Sequence, residues 1–379
     1  MFANEKKINS LFLYWLIASL VLVFVIIIVG GLTRLTNSGL SITEWELFKG
    51  ILPPLNNETW VIYFNQYKQI PQYKLLNFNM TLEEFKYIYF WEYIHRFIAR
   101  LIGLFFLIPL IYFYFTKKIK KDYLATCFFI FGLIVLQGVI GWYMVKSGLV
   151  NDITVSHYRL SIHLFTAIII ISSIFWLIKN IISKKEKIFF KLSKENLPFQ
   201  ILITFVFIQI VLGAFVSGLD AGQIYQTWPM MGSSFFPNDT NFKSLNVVID
   251  FDNHSLVQFY HRSLAYIIIL YGIFITIFIY KNKLSILYKP LKVLLFFLTL
   301  QIILGIFTLI SGLNIYLASL HQTTSIFLVF SAINLYYLRD IAVSSTRDVL
   351  SDATAEIGVS LILGACTRAA EGIESAKVG

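Results

Sequence analysis

The sequence predicts an all-α integral membrane protein whose eight transmembrane helices form two pseudo-symmetric four-helix bundles. Three observations carry that expectation. The 379-residue chain is 57% apolar and 14% charged, with a mean hydropathy of +0.72. A soluble chain of this length would not have that profile. The apolar residues gather in uninterrupted runs of the length that crosses a bilayer, about 20 residues each. The lysines fall in short clusters between alternate runs. The net charge of +10 therefore reads as the basic excess of cytoplasmic loops rather than as a nucleic-acid surface. Lipid, not nucleic acid, is the expected surroundings. The two cysteines, Cys127 inside a run and Cys366 in the tail, have neither a disulfide framework nor metal-site spacing.

Each span is justified by its own flanks. The first run, Leu11 to about Val29, follows Lys6 and Lys7 and invites comparison with a signal peptide. Its length, the lack of a small-residue cleavage site and the continuation Gly30-Gly31-Leu32-Thr33-Arg34 make it a retained helix. Residues 32–86 form a long polar loop with Pro53-Pro54, several aromatics and mixed charge. The second span covers about Lys86 to Phe115 and ends at Lys117-Lys118-Ile119-Lys120-Lys121. The third covers about Tyr123 to Val145 and the fourth about Tyr158 to Ile178. A basic connector with Lys184, Lys185, Lys187, Lys191 and Lys194 leads to the fifth, about Phe199 to Val216. A second long loop, carrying Asp220, Asp239, Asp250 and Asp252, extends to about Leu256. The sixth span is about Val257 to Tyr280, closed by Lys281 and Lys283. The seventh is about Leu291 to Ile310, and the eighth, about Tyr316 to Leu338, is closed by Arg339. All basic connectors fall on one side, which places the N-terminus in the cytoplasm and the two long loops outside. After Tyr337 there is no aromatic residue, and Ser344 to Gly379 turns rich in Ala, Gly and Ser; this tail is assigned no role.

Ionisable side chains inside a membrane-length helix are costly and mark function. The run Trp91-Glu92-Tyr93-Ile94-His95-Arg96-Phe97-Ile98-Ala99-Arg100 places a carboxylate, an imidazole and two guanidinium groups at the mouth of the second span. Glu92 and His95 share one helical face. A second copy, Gln258-Phe259-Tyr260-His261-Arg262, opens the sixth span, with Gln258 in the place of Glu92. One hairpin after each copy, another helix carries a histidine near its start, His163 and His321. All four are expected within about two turns of the outer ends of the even-numbered helices, at one depth. Four histidines in two matched pairs form a bis-histidine haem pattern, since neutral imidazole is a standard axial ligand and a helix-bundle interior a standard cofactor site. Arg96 and Arg262 are candidates to bind haem propionates bidentately. Glu92, a carboxylate without a counterpart in the second copy, is the catalytic candidate. His157 and His254 sit in the outer loops without a repeat partner and read as surface residues.

An internal repeat supports the pairing. The third span ends Gln137-Gly138-Val139-Ile140-Gly141 before Ser147-Gly148-Leu149, and the seventh ends Gln301-Ile302-Ile303-Leu304-Gly305 before Ser311-Gly312-Leu313. The fifth carries Gln209, Gly213 and Ser217-Gly218-Leu219; the first, more loosely, carries Gly30, Gly31 and Ser38-Gly39-Leu40. Ser161, His163 and Thr166 match Ser319, His321 and Thr324. The domains expected are residues 1–195 and 196–340, two halves in parallel orientation, followed by the tail 341–379.

These motifs also carry a family resemblance. Gly30 to Thr36, Ser38 to Trp45, Glu92 to Arg96 and Tyr158 to Leu164 resemble haem A synthases. So do Gly218 to Gly222, Thr227-Trp228-Pro229-Met230-Met231, Gln258 to Arg262 and Leu320-His321-Gln322. The resemblance covers roughly residues 10–340. The Trp45-containing first loop, without a paired-cysteine motif, resembles the proteobacterial and mitochondrial subgroup. Met231-Gly232-Ser233 departs from it, because the family pattern has an acidic residue beside that glycine. The resemblance implies oxidation of the C8 methyl of haem O to a formyl by two successive hydroxylations, for cytochrome oxidase biogenesis in the bacterial inner membrane. It implies haem O as substrate, bracketed by His95 and His163, and a resident haem B held by His261 and His321. Haem O synthase and cytochrome oxidase assembly factors are the implied partners, and homo-oligomers are compatible with it. Two rivals share parts of the pattern: a dihaem b-type electron carrier, and a proton channel built from histidine and glutamate. A carrier has no need of Glu92 in one half and Gln258 in the other.

Overall fold

A computed structural model of the chain describes residues 10–44, 52–149, 153–240 and 248–349, with side chains as far as Arg339. Trp45, Cys366 and the tail beyond Val349 lie outside the described residues. Eight helices have the length and apolarity to cross a membrane. They are α1 (Ser10–Leu35), α4 (Leu82–Thr116), α5 (Lys121–Gly148), α6 (His157–Ser183), α7 (Leu197–Gly218), α8 (His254–Lys281), α9 (Tyr288–Ile310) and α10 (Ile315–Val349). Two shorter helices, α2 (Asn57–Tyr67) and α3 (Pro71–Leu75), lie in the first long loop. Among the described residues there is no strand.

Consecutive spans pack as hairpins: α1 on α4, α5 on α6, α7 on α8, α9 on α10. Within the first four spans α4 also meets α5 and α1 meets α6. Within the last four α8 meets α9 and α7 meets α10. The two sets join where α6 packs on α7 and α1 on α10. One apolar core runs through all eight spans, from Leu16, Leu110 and Ile130 to Ile171, Val206, Ile275, Leu294 and Ile333. Between the sets, Gly31 of α1 admits Gln322 of α10, whose Oε1 would lie 2.1 Å from a Cβ at that position. With that room the Gln322 amide donates to the Ile27 carbonyl at 3.0 Å.

The spans start and stop on local chemistry. Thr81 and Glu84 close a capping box at the start of α4, and Glu83 and Glu84 complement the helix dipole there. α4 has 35 residues, about 50 Å at ~1.5 Å per residue, against a hydrocarbon core of ~30 Å. Its first turns stand above the expected start at Lys86, where they meet a loop that is partly helical. Phe64 and Tyr67 of α2, Ile70, Phe85 and Tyr89 of α4, and Leu40 form a second apolar cluster that caps the bundle. The buried Tyr67 hydroxyl donates to Gln72 and accepts from Asn77. Burial pushes that hydroxyl up to about 12, which keeps it a neutral donor.

At the opposite end, α4 and α6 are each closed by a lysine in the left-handed region, Lys117 at φ 51° and Lys184 at φ 53°. Lys283, just past α8, adopts φ 51° as well. The α6–α7 connector docks there on α6 and α10: the Trp176 indole of α6 donates to the Lys187 carbonyl, and the Lys187 ammonium donates to the Tyr337 carbonyl of α10.

Pro109 inside α4 removes the main-chain N–H that would bond the Phe105 carbonyl. The Trp15 indole of α1 donates to that carbonyl at 3.1 Å, so a neighbouring helix satisfies the freed group. Trp15→Phe is expected to leave the carbonyl unpaired and cost about 1–3 kcal/mol, seen as a lower thermal denaturation midpoint in detergent. An unchanged midpoint would show that the carbonyl finds another donor.

Candidate functional site

The four histidines meet in the pairs the repeat suggested. The His95 and His163 rings are 6.4 Å apart between centres at 64°, and the His261 and His321 rings 6.5 Å apart at 82°. Two imidazoles facing each other across one metal at a metal–nitrogen distance of ~2.0–2.1 Å have ring centres ~6.3 Å apart. The rings of each pair thus leave room for one metal ion. Each ring is partly exposed while its Nδ1 is buried without a partner. A group that engages the other edge, such as the iron of a haem, fits that arrangement. One expectation needs correcting. His163, His261 and His321 stand at the seventh or eighth residue of α6, α8 and α10, but His95 is the fourteenth residue of α4. The outward extension of α4 under the α2–α3 cap accounts for the difference.

Every ring rests on a glycine of the preceding span. A Cβ at Gly30, Gly141 or Gly305 would lie 3.0 Å from Cε1 of His95, His163 or His321, and one at Gly213 3.2 Å from Cε1 of His261. Three of these glycines follow a glutamine by one turn. The Gln137, Gln209 and Gln301 amides donate to the main-chain carbonyls of His163, His261 and His321 at 2.9–3.0 Å. The Gln209 amide nitrogen is also 3.4 Å from His261 Nε2. The Gln-x-x-x-Gly spacing was the available sequence signal for these bonds, although the repeat was read there only as support for the histidine pairing.

Beyond the rings, each half clamps its outer loop. Glu92 is 2% exposed. Its Oε2 accepts from the Ser41 hydroxyl at 2.7 Å and the Ile42 N–H at 2.8 Å, and its Oε1 forms a 2.6 Å salt bridge with Arg96. Arg96 also donates to the Ile42 carbonyl. In the other half Gln258 donates to the Tyr225 carbonyl, and Arg262 donates to the carbonyls of Tyr225, Thr227 and Met230. Ile42 and Tyr225 each stand seven residues past the end of their helix, α1 and α7. The arginines therefore hold equivalent loop positions. The loop leading to Gly232 is the one Arg262 holds. Arg100 lines the same crevice as Arg96, beside Thr43 and Glu44.

Arg34 was not singled out by sequence. It ends α1 and donates to the Asn37 side chain, the Ser217 carbonyl and the Asp220 carboxylate, the last at 2.9 Å. It thereby joins the outer ends of α1 and α7. His254 is exposed, as expected. His157 is not: it begins α6, is 8% exposed and packs on Phe215, with Nε2 3.3 Å from Asp252. The cause is the close approach of α7, where a Cβ at Gly218 would lie 2.6 Å from His157 Cβ.

Residues 13–333 match the family model described as cytochrome oxidase assembly protein. The chain is 47% identical over 340 residues to a protein named heme A synthase from Pelagibacter ubique, covering 89% of this chain and 99% of that one. A protein of the same name from Rickettsia felis is 40% identical, with 87% and 98% covered. Another from Flavobacterium psychrophilum is 39% identical, with 85% and 96% covered.

Gly305→Val should push the His321 ring off its seat. With helix content unchanged by circular dichroism, bound haem per protein should fall ~10-fold, the low end for disturbing the support of a metal ligand. Full haem content in this variant would show that the ring does not depend on the glycine.

Proposed function

The chain belongs to the family of cytochrome oxidase assembly proteins, and from that premise we propose how its four-histidine core carries out the reaction for which its relatives are named. It is a multi-pass membrane enzyme, a haem A synthase, that converts haem O to haem A. In our reading the C8 methyl of haem O becomes a formyl through two successive hydroxylations. The observation that carries this reading is the presence of two facing imidazole pairs, only one of them beside a buried carboxylate.

We assign substrate haem O to His95 and His163 in a half spanning residues 1–195, and a resident haem B to His261 and His321 in a half spanning 196–340. The two halves are proposed to be parallel, pseudo-symmetric four-helix bundles. When bound, haem B supplies one-electron chemistry. Arg96 and Arg262, each next to a ligand histidine at the outer end, supply positive charge for haem carboxylates. Arg262 donates to the main-chain carbonyls of Tyr225, Thr227 and Met230, whereas Arg96 is balanced by Glu92.

Glu92 is the catalytic residue of the proposal. Ser41, Ile42 and Arg96 hold its carboxylate in one place, three residues before His95. Each hydroxylation removes two electrons, which must pass to an external electron acceptor; a fixed carboxylate would stabilise positive charge developing at the substrate methyl carbon, or take up the proton released there. Gln258 can only hydrogen-bond. The relatives' name describes a conversion and gives no support to an electron carrier without chemistry of its own. From the basic connectors we infer a cytoplasmic N-terminus, with the histidine ends of the spans outside, in the bacterial inner membrane. Haem O synthase and oxidase assembly factors are the proposed partners, and assembly as a homo-oligomer is compatible with this arrangement.

Two experiments test the assignment. Glu92→Gln makes the two halves alike at that position. It should retain both haems yet lower haem A formation by ~100-fold or more, the scale of acid–base assistance, with haem O or its hydroxymethyl form accumulating. Formation at the parent rate in cells lacking their own synthase would remove Glu92 from the chemistry. His261→Ala should lose the b-type absorption of the resident haem. His95→Ala should keep that absorption and abolish haem A. Unchanged b-type absorption in His261→Ala would overturn the ligand assignment.

A further inference from the structure

Three of the four histidines are held at two points by the span before them, and one is held at a single point. For His163, His261 and His321 a glycine seats the ring, and a glutamine one turn earlier bonds the histidine's own carbonyl at 2.9–3.0 Å. For His95 the glycine is present, Gly30, but the position one turn earlier is Ile26, which has no donor. The tie between α1 and α4 nearest that ring is longer and lies one turn further out. There the Thr33 hydroxyl, already bonded to Val29 at 2.8 Å, reaches the Trp91 carbonyl at 3.3 Å.

The glutamines carry a cost that packing alone does not explain. Gln137, Gln209 and Gln301 each bury the side-chain oxygen without a partner. An orphaned acceptor in a helix interior is destabilising and calls for a reason. Gln200 and Gln258 bury an unpaired oxygen too, but Gln137, Gln209 and Gln301 each direct the amide to the carbonyl of a paired histidine, and His95 has no such glutamine. A role in fixing the ligand, rather than the helix pair, accounts for both facts.

We propose that Gln137, Gln209 and Gln301 are positioning residues that fix their histidines as axial ligands, and that His95 is the ligand that yields during exchange. The proposal rests on the haem reading above and deepens it. A resident haem needs two fixed ligands, and both its histidines are fixed. A substrate haem must enter and its product must leave between α4 and α6, so one of its ligands has to release first. His163 is pinned through Gln137; His95 is not.

The test uses the purified full-length protein in detergent with the haem it carries. Carbon monoxide is the probe after reduction. The formyl-bearing product absorbs at longer wavelength than haem B, so the two sites are read separately. In the parent, carbon monoxide should bind the product haem and leave haem B low-spin. Ile26→Gln should slow that binding, and transfer of the product haem to apomyoglobin, by ~10–100-fold, the scale for changing a ligand's outer partner. Gln209→Met and Gln301→Met should make haem B reactive to carbon monoxide at near-parental haem content. If both methionine variants keep haem B unreactive, or if a folded Ile26→Gln exchanges at the parent rate, the proposal is overturned. A parent protein that binds no haem would instead overturn the site reading itself.

Discussion

The molecule depends on how closely each odd-numbered span approaches the even-numbered span that follows it, at the level of the histidines. Between membrane helices there is little hydrophobic drive to associate, and small residues set how near two backbones can come. Gly30, Gly141, Gly213 and Gly305 remove the side chain where an imidazole edge must lie. Closer contact then lets polar groups cross between helices, as the Gln137, Gln209 and Gln301 amides do. In hydrocarbon such groups have no water to turn to. The position of the rings and the satisfaction of the backbone around them are therefore one problem with one solution, repeated.

The two histidine pairs carry the same device at the neighbouring loop with different chemistry. An arginine next to a paired histidine reaches a carbonyl seven residues beyond the preceding helix, at Ile42 and at Tyr225. Beside it stands a carboxylate in one half and an amide in the other. Glu92 accepts bonds from its loop, and Gln258 donates one. The two histidine pairs thus stand beside different groups, a carboxylate at Glu92 and an amide at Gln258.

Much of this was legible in the sequence because it is periodic. The eight spans follow from apolar runs and basic clusters, and the histidine pairing from residues recurring at equal offsets. The ends of the spans were less legible, since Glu83, Glu84 and Lys86 look like loop until their capping and packing are known. The helices α2 and α3 escaped because their apolar residues, Phe64, Tyr67 and Ile70, pack on Phe85 and Tyr89 of a distant element. His157 was misread for a similar reason. Its burial comes from α7, 61 residues away at Gly218, and no local pattern announces that neighbour. Glu92 was recognised as exceptional, but its grip on Ser41 and Ile42 depends on how the loop folds back.

The lysines that close α4 and α6 have a further consequence. Lys117 and Lys184 occupy a left-handed conformation that glycine adopts more readily, and Lys283 does the same beyond α8. Local geometry alone would favour glycine at all three turns. Read with the positive-inside tendency, the chain accepts a less favourable turn to keep a charge at that boundary. The three charges thus gather at the ends of α4, α6 and α8 remote from the histidines, where each helix turns back on itself.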